Sequence, residues 1–524
     1  MNLLTVQLRF WEILHHLVNK EGMRVVHISE KGEEVWLEDD RTEPFQIIRI
    51  GYKDFDWSKE LRHDISETYD KAKTIRGQLK LRSANVINVV LSPYAPVDSY
   101  EHLVDQALPL TAGGKQQQRT ILLTLQNMNE KLFPLATEWK LKETPSFTFV
   151  NELIDIEGEI RALRYAVMQA SENQVEKDRK VFFYGKPIVT FILLATILIM
   201  YAIVEYNGSS MSTETLISFG AKFNPLILQG EWWRFFSAMF LHIGFFHLMM
   251  NSLALFYLGS AVERIYGTGR FLIIYLIAGL VGSIASFALN EQVSAGASGA
   301  IFGCFGALLY FGIKHKRLFF RTMGMNVIVI LSINLAFGFI VPMIDNGAHI
   351  GGLIGGFAAS AIVSLPRNKN VKSQIIAIFV TIIAFLSLLS YGYNQPLTTQ
   401  SYIVYYQIGR EYIEENNLFE AKQYFEKIVE GNKEEAEPIL DETYFSLGYL
   451  HARLGEVEEA KHYFHQFLEN APPGSDEAHY NLSLLYYQDG IYDSAYLHIL
   501  KAIELKPDQS NYLELQEELA NFIE

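Results

Sequence analysis

The sequence predicts a multi-domain chain with three parts. These are a soluble N-terminal α/β domain, a polytopic α-helical membrane core of seven spans, and a C-terminal all-α solenoid of helical repeats. Three observations carry this reading. Almost all the long apolar runs lie between residues 186 and 391, with polar sequence on both sides. Short runs of strand character precede that block. Small and aromatic residues recur at a nearly constant interval after it. The expected boundaries are 1–180 for the first domain, 186–391 for the membrane core and 400–524 for the solenoid.

A chain of 524 residues exceeds one ordinary domain. With 49% hydrophobic and 20% charged residues, apolar and polar material must be segregated. The net charge of −15 is localised, because the chain from Thr399 onward holds 25 acidic and 8 basic residues. No basic stripe exists there, which excludes nucleic acid as its partner. The single cysteine, Cys304, lies inside an apolar run, so no disulfide framework can staple any domain. Residues 1–20 mix apolar positions with Arg9, Glu12, His15 and His16 and do not read as a secretory signal.

In the first domain, 3–18 is an amphipathic helix, followed by strand-like runs at 23–29, 34–37 and 45–50. A helix is expected over 58–79, then a buried Val- and Ile-rich strand at 85–91, with another at 121–125. This order is similar in topology to the PD-(D/E)XK nuclease-like core. The Asp…Glu-x-Lys pattern of that core is not evident, and no residue carries over. Gly113-Gly114-Lys115 has Pro109 where a phosphate loop needs glycine and Gln116 where it needs Ser or Thr, so it reads as a turn.

A charged helix over about 150–180 leads to the membrane. The apolar segments are 188–204, 247–262, 271–289, 298–313, 326–344, 349–365 and 375–391. Basic clusters precede the first (Lys177, Arg179, Lys180, Lys186) and follow the second (Arg264, Arg270), the fourth (Lys314, Lys316, Arg317, Arg321) and the sixth (Arg367, Lys369, Lys372). Alternating spans put all four clusters on one side, the cytoplasmic one. The opposite loops, 207–234, 290–297 and 345–348, are nearly free of lysine, and Trp232 and Trp233 mark the outer interface.

Polar residues of catalytic type then fall at one depth. His247 and Asn251 begin the second span at its outer end, Ser298 begins the fourth, and His349 begins the sixth. Such groups are costly in a bilayer, and their convergence reads as a functional site. His247 and Asn251 are four apart and project from one helix face. Gly299-x-x-x-Gly303 and Gly352-x-x-x-Gly356 are smooth faces able to bring Ser298 and His349 together. Close packing is the competing explanation for Gly296, Ser298 and Gly299, since small residues let membrane helices approach. No His-Glu-x-x-His motif and no pair of membrane aspartates is present, which excludes zinc and aspartic protease chemistry.

Four motifs in order make residues 186–366 resemble the rhomboid intramembrane serine proteases. They are Gly230-Glu231-Trp232-Trp233-Arg234, His242-x4-His247-x3-Asn251, Gly296-Ala297-Ser298-Gly299 and Ala348-His349-Ile350-Gly351-Gly352. The seventh span makes the chain similar to the subgroup with one added C-terminal helix. The resemblance implies Ser298 as nucleophile and His349 as base and then acid. It implies an oxyanion hole from the Ser298 N–H with the His247 and Asn251 side chains. His242 is expected to order the loop entering its helix, and Phe302, where many relatives have tyrosine, to support the His349 ring. Gly296, Gly299, Trp233 and Arg234 are expected to shape the surroundings. Asp345, one turn before His349, stands in a loop and is not read as a third member.

Beyond the last span, Gly409…Ala421…Phe425 aligns with Gly448…Ala460…Phe464…Pro472 and then with Ala495…Ala502…Pro507, near the tetratricopeptide period. Three helix pairs with acidic faces form a protein-binding groove. His451, His462, His465 and His479 read as solvent-facing, without metal-ligand spacing. The whole reads as an intramembrane endopeptidase of a bacterial plasma membrane, with the N-terminal domain cytoplasmic and the repeats extracytoplasmic. Its partners are transmembrane substrates, a protein ligand of the repeats and the lipid bilayer, with no cofactor. The alternative is a non-catalytic or dual-role adaptor presenting transmembrane clients. Inactive rhomboid relatives typically lack the serine or the histidine, and this chain has both. A transporter is disfavoured, since no inverted repeat is apparent.

Overall fold

The computed structural model describes residues 2–39, 41, 45–78, 84–104, 106–111, 116–148, 155–341, 343–366, 370–395, 397–470 and 475–523. The turn expected at Gly113-Gly114-Lys115 lies outside them. The chain forms two compact units, Met1–Phe182 and Phe183–Glu524.

The first unit is built on a six-stranded sheet. Its strands are β1 (Arg24–Ile28), β2 (Glu34–Asp39), β3 (Phe45–Tyr52), β4 (Ala84–Ser92), β5 (Ala107–Pro109) and β6 (Gln117–Thr124), in the spatial order β1-β2-β3-β4-β6-β5. β4 pairs parallel with β3 and β6, and the remaining pairs are antiparallel. Central parallel strands are covered on both faces, which explains the continuous Val/Ile run of β4. Helices α1 (Asn2–His15) and α2 (Ser58–Gln78) are followed by α3 (Met128–Glu138) and α4 (Ile156–Phe182). One sheet face packs Ile48, Val89 and Leu123 against Phe10, Trp11 and Val167 of α1 and α4. On the other face Trp36, Ile47 and Val86 meet Ala72 and Ile75 of α2.

Two elements here escape sequence reading. β5 has three residues and sits at an edge, too short to show alternation. α3 carries Pro134 in its interior, which reads as a break. A buried ion cluster also emerges: the Arg49 guanidinium donates to Asp64 through two nitrogens, to Glu34 at 2.9 Å and to Asn88 at 2.8 Å.

In the second unit every expected apolar segment begins on a helix, with 326–344 and 349–365 running past the helix ends at Ile340 and Val363. Ile188–Asn207, Gly244–Tyr266, Thr268–Leu289, Asn346–Val363 and Val371–Tyr393 are each long and apolar enough to cross a membrane. Gly324–Ile340 meets the short helix Lys316–Thr322 at a bend of 74°, and the pair passes as a sixth. The helix Ser298–Lys314 has 17 residues. At 1.5 Å per residue it reaches about 25 Å, short of the ~30 Å hydrocarbon layer. A buried carboxylate ties the first span to the second. Glu263 accepts from the N–H groups of Ile188, Val189 and Thr190 and from the Thr190 hydroxyl, satisfying the open end of the first helix.

The helices that begin at Ser298 and Asn346 touch through their backbones. A Cβ at Gly352 would overlap the Gly299 carbonyl oxygen, and one at Gly356 would overlap that of Gly303. In lipid, where burial of apolar surface gives no advantage, such contact by small residues is what joins helices.

Three helix pairs follow, Thr399–Glu414 with Leu418–Val429, Lys433–Leu454 with Val457–Asn470, and Asp476–Gln488 with Tyr492–Leu505, ending in Ser510–Ala520. The repeat is one packing rule used again. Gly409 makes room for the Phe425 ring and Gly448 for the Phe464 ring, each with 2.8 Å from a would-be Cβ. The expectation that the repeat histidines face solvent fails in part. His451 is buried under Tyr463 beside Glu456, and His479 contacts His498 at 3.0 Å. Polar rings at helix-pair seams are indistinguishable by spacing from exposed ones.

Gly352→Ala is expected to push the two central helices apart by about 1 Å and to slow labelling of Ser298 by a serine-reactive phosphonate roughly 100-fold. Helix content by circular dichroism stays unchanged. Labelling at the native rate overturns the dependence on backbone contact.

Candidate active site

The loop 290–297 delivers Ser298 to its helix and is held on both sides. The N–H of Lys222 donates to Ser294 O at 2.9 Å and that of Ser294 to Lys222 O at 3.0 Å, a one-residue antiparallel bridge. The Gly296 N–H donates to Ala238 O at 2.9 Å. Gly296 passes so close to the His247 ring that a Cβ would stand 2.8 Å from Cε1. Only glycine lets the chain through there.

From this loop the Ser298 hydroxyl lies 2.9 Å from His349 Nε2. The imidazole is stacked on Phe302, with ring centroids 4.1 Å apart and planes at 13°. His349 Nδ1 is buried and has no hydrogen-bond partner among the described residues. Asp345 stands one turn earlier, yet both of its oxygens are engaged elsewhere. One accepts the Ala348 N–H at 2.9 Å and caps the helix, and the other accepts the Ser286 hydroxyl. The arrangement is a hydroxyl and an imidazole with an aromatic plate behind the ring.

The other expected residues fall into two groups. Asn251 donates one amide hydrogen to His247 O at 3.1 Å, leaving its second N–H. His242 is buried and meets the His247 ring edge-on at 5.3 Å. Its helix begins only at Gly244, so helical spacing does not govern its direction. Trp233 and Arg234 belong to the segment between the helices Ile188–Asn207 and Gly244–Tyr266. The buried Arg234 guanidinium donates to Ile217 O at 2.6 Å and Ala221 O at 3.1 Å, pairs with Glu231, and lies over the Trp233 ring. Arg234 thereby holds the last turn of the short helix Thr213–Ser218 through Ile217 and the segment just after it through Ala221. Among the described residues, no group of three His, Cys, Asp or Glu is placed to hold a metal ion.

Sequence reasoning missed Lys222. It is fully buried, and its ammonium donates to Asn290 O at 2.6 Å and Asn224 Oδ1 at 3.2 Å. With Ser283, Ser294, Gly296 and Ser298 it lines a cavity of about 20 Å³, the size of one water. Burial pushes the Lys222 ammonium down to about 8, against the pull of Asp345 and Glu291. Burial pushes the Asp345 carboxyl up, but Lys222 and the hydrogen bonds from Ser286 and Ala348 outweigh it and hold it below the usual carboxylate range. The available signal was a lysine alone in a loop otherwise without one.

Known proteins resemble this sequence. A family model described as the rhomboid domain matches residues 229–366, and a tetratricopeptide-repeat model matches 402–435, 441–473 and 476–509. The chain is 36% identical over 513 residues to the rhomboid protease GluP of Bacillus subtilis (strain 168), covering 98% of each chain. It is 28% identical over 259 residues to the rhomboid protease AarA of Providencia stuartii, covering 44% of this chain and 91% of that one. To RHOMBOID-like protein 5 of Arabidopsis thaliana it is 40% identical over 159 residues, 29% of this chain and 51% of that one.

Deprotonation of Lys222 removes the positive charge facing Asp345, so turnover is expected to fall above about pH 8. The unfolded chain keeps that proton to about 10.5, so between these values the folded state holds fewer protons. This group's contribution to stability therefore rises with pH, and the loss of turnover is not unfolding caused by it. Lys222→Met lowers turnover at pH 7 and abolishes the alkaline limb in a pH–rate profile. A limb that persists in the variant assigns it to another group.

Proposed function

The chain belongs to the rhomboid family of intramembrane proteases, and we propose that it cuts transmembrane segments with Ser298 as nucleophile and His349 as base. The observation that carries this reading is the 2.9 Å approach of the Ser298 hydroxyl to His349 Nε2, in a ring orientation held by Phe302. A general base must stand at hydrogen-bond distance from the proton it removes.

The steps follow from that geometry. Nε2 takes the hydroxyl proton as Oγ bonds to the scissile carbonyl carbon, giving a tetrahedral intermediate. Its oxyanion is met by the Ser298 N–H, the His247 ring and the second Asn251 N–H, donors typically worth about 3–4 kcal/mol each. The imidazolium returns its proton to the leaving amine, the C–N bond breaks, and an acyl-enzyme remains. Water activated by His349 then releases the new carboxyl end. The oxygens of Asp345 are engaged elsewhere, so the face of Phe302 stabilises the transient imidazolium, a contact worth about 0.5–2 kcal/mol.

The membrane limits the substrate. A helix in lipid has its carbonyls bonded within itself, so the cut requires a segment that unwinds near its outer end. The basic loops support an orientation with residues 1–180 cytoplasmic and the repeats outside. In that arrangement the repeats engage protein partners and the N-terminal domain serves regulation, presenting clients as well as positioning them for cleavage.

In proteoliposomes, Ser298→Ala and His349→Ala are each expected to reduce cleavage of a transmembrane substrate by three or more orders of magnitude with insertion unchanged. Phosphonate labelling of Ser298 disappears in His349→Ala. Cleavage retained by purified Ser298→Ala protein sinks the assignment.

A further inference from the structure

The contacts of the first repeat helix converge on the loops that carry the catalytic pair. Tyr402, Val404 and Ile408 of Thr399–Glu414 share one buried core with Ile217 and Phe223 of the outer loop, and Leu226 and Val293 pack against it. The Tyr405 ring meets Phe223 edge-on at 5.7 Å. Phe223 and Val293 are the immediate neighbours of Lys222 and Ser294, the two residues whose bridge anchors the loop four residues before Ser298.

Two carboxylates fasten this core at its ends. Glu411 accepts from the Ser212 hydroxyl at 2.9 Å, the Thr213 N–H at 3.1 Å and the Glu214 N–H at 2.8 Å. It thus caps the helix Thr213–Ser218, whose Ile217 carbonyl Arg234 holds. The Tyr412 hydroxyl donates to Glu214 at 3.0 Å. At the other end Glu291 accepts from the Thr398 hydroxyl and from the Ser401 hydroxyl at 3.3 Å. Glu291 follows Asn290, whose carbonyl receives the buried Lys222 ammonium. The path from repeat helix to Ser298 is therefore made of packed side chains and hydrogen bonds, without a flexible link.

We infer that the repeat domain is a positioning element of the protease site, holding the serine loop in register with His349 through Glu411 and Glu291, in addition to any capture of partners. This rests on the reading of Ser298 and His349 as the reacting pair. A module that only captures clients changes the apparent affinity for substrates with an outer portion to grip. A module that sets the loop changes the chemical step for every substrate, including one with nothing outside the bilayer.

The test uses the full chain in proteoliposomes and a substrate reduced to a transmembrane segment with a few outer residues. Glu411→Ala and Glu291→Ala are each expected to lower kcat about tenfold or more, with KM within twofold. The rate of phosphonate labelling at Ser298 falls in parallel. Glu291→Gln, whose amide oxygen still accepts from Thr398 and Ser401, restores kcat to within about threefold. Hydrogen exchange in 298–314 stays native in these variants while that of 213–228 accelerates. Unchanged kcat and labelling on the minimal substrate, or a rise in KM alone confined to substrates with a large outer domain, overturns the proposal. Cleavage that survives Ser298→Ala instead overturns the underlying assignment.

Discussion

The structure depends on bringing two helix backbones into contact inside a medium that gives them no reason to meet. Side chains on Gly352 or Gly356 would collide with carbonyls of the opposite helix, so the approach exists only because both faces are bare. Water-driven burial does not operate between helices in lipid, and close fit is the available attraction. Two polar side chains at the N-terminal ends of those helices then fall at 2.9 Å. Their approach is a by-product of packing, and its precision is the precision of a glycine seam.

What the seam does not provide is control of the loop before Ser298. The loop has no regular structure of its own, and its backbone groups need partners. The protein supplies them from outside the membrane helices: Lys222 and Ala238 bond its main chain, and Glu291 fixes its start to the repeat domain. A lysine without exposure is tolerated there because a carbonyl, an amide oxygen and the field of Asp345 compensate part of its lost hydration. Asp345 is in turn committed to capping the helix that carries His349. One carboxylate thus links loop and helix while leaving the imidazole to Phe302.

The same logic explains why the segment between the first two spans is rich in short helices with charged fasteners. Thr213–Ser218 has six residues, too few to be stable alone. Glu411 accepts from its first N–H groups, and Arg234 donates to its Ile217 carbonyl and to that of Ala221 just beyond, one from the repeat domain and one from the following segment. The membrane unit and the repeats are accordingly one compact unit. The N-terminal sheet domain forms the other, held by its own core and by the Arg49 cluster.

Much was legible from composition and period alone. Apolar runs of bilayer length, glycine spacing on two of them and polar residues at matching depth are local properties of the chain, written in contiguous residues. They sufficed for the membrane core, for the nearness of Ser298 to His349, and for the repeats, whose Gly–Phe packing recurs every 39 residues between Gly409 and Gly448. Lys222, Glu411 and Glu291 were not legible, since each acts on a partner that the fold brings near: Glu411 bonds residues 197 to 199 positions away. A charged residue in a polar loop has the same sequence signature whether it faces water or fastens two domains. Periodicity reports which face of an element is buried; the identity of what covers that face arises when the elements assemble.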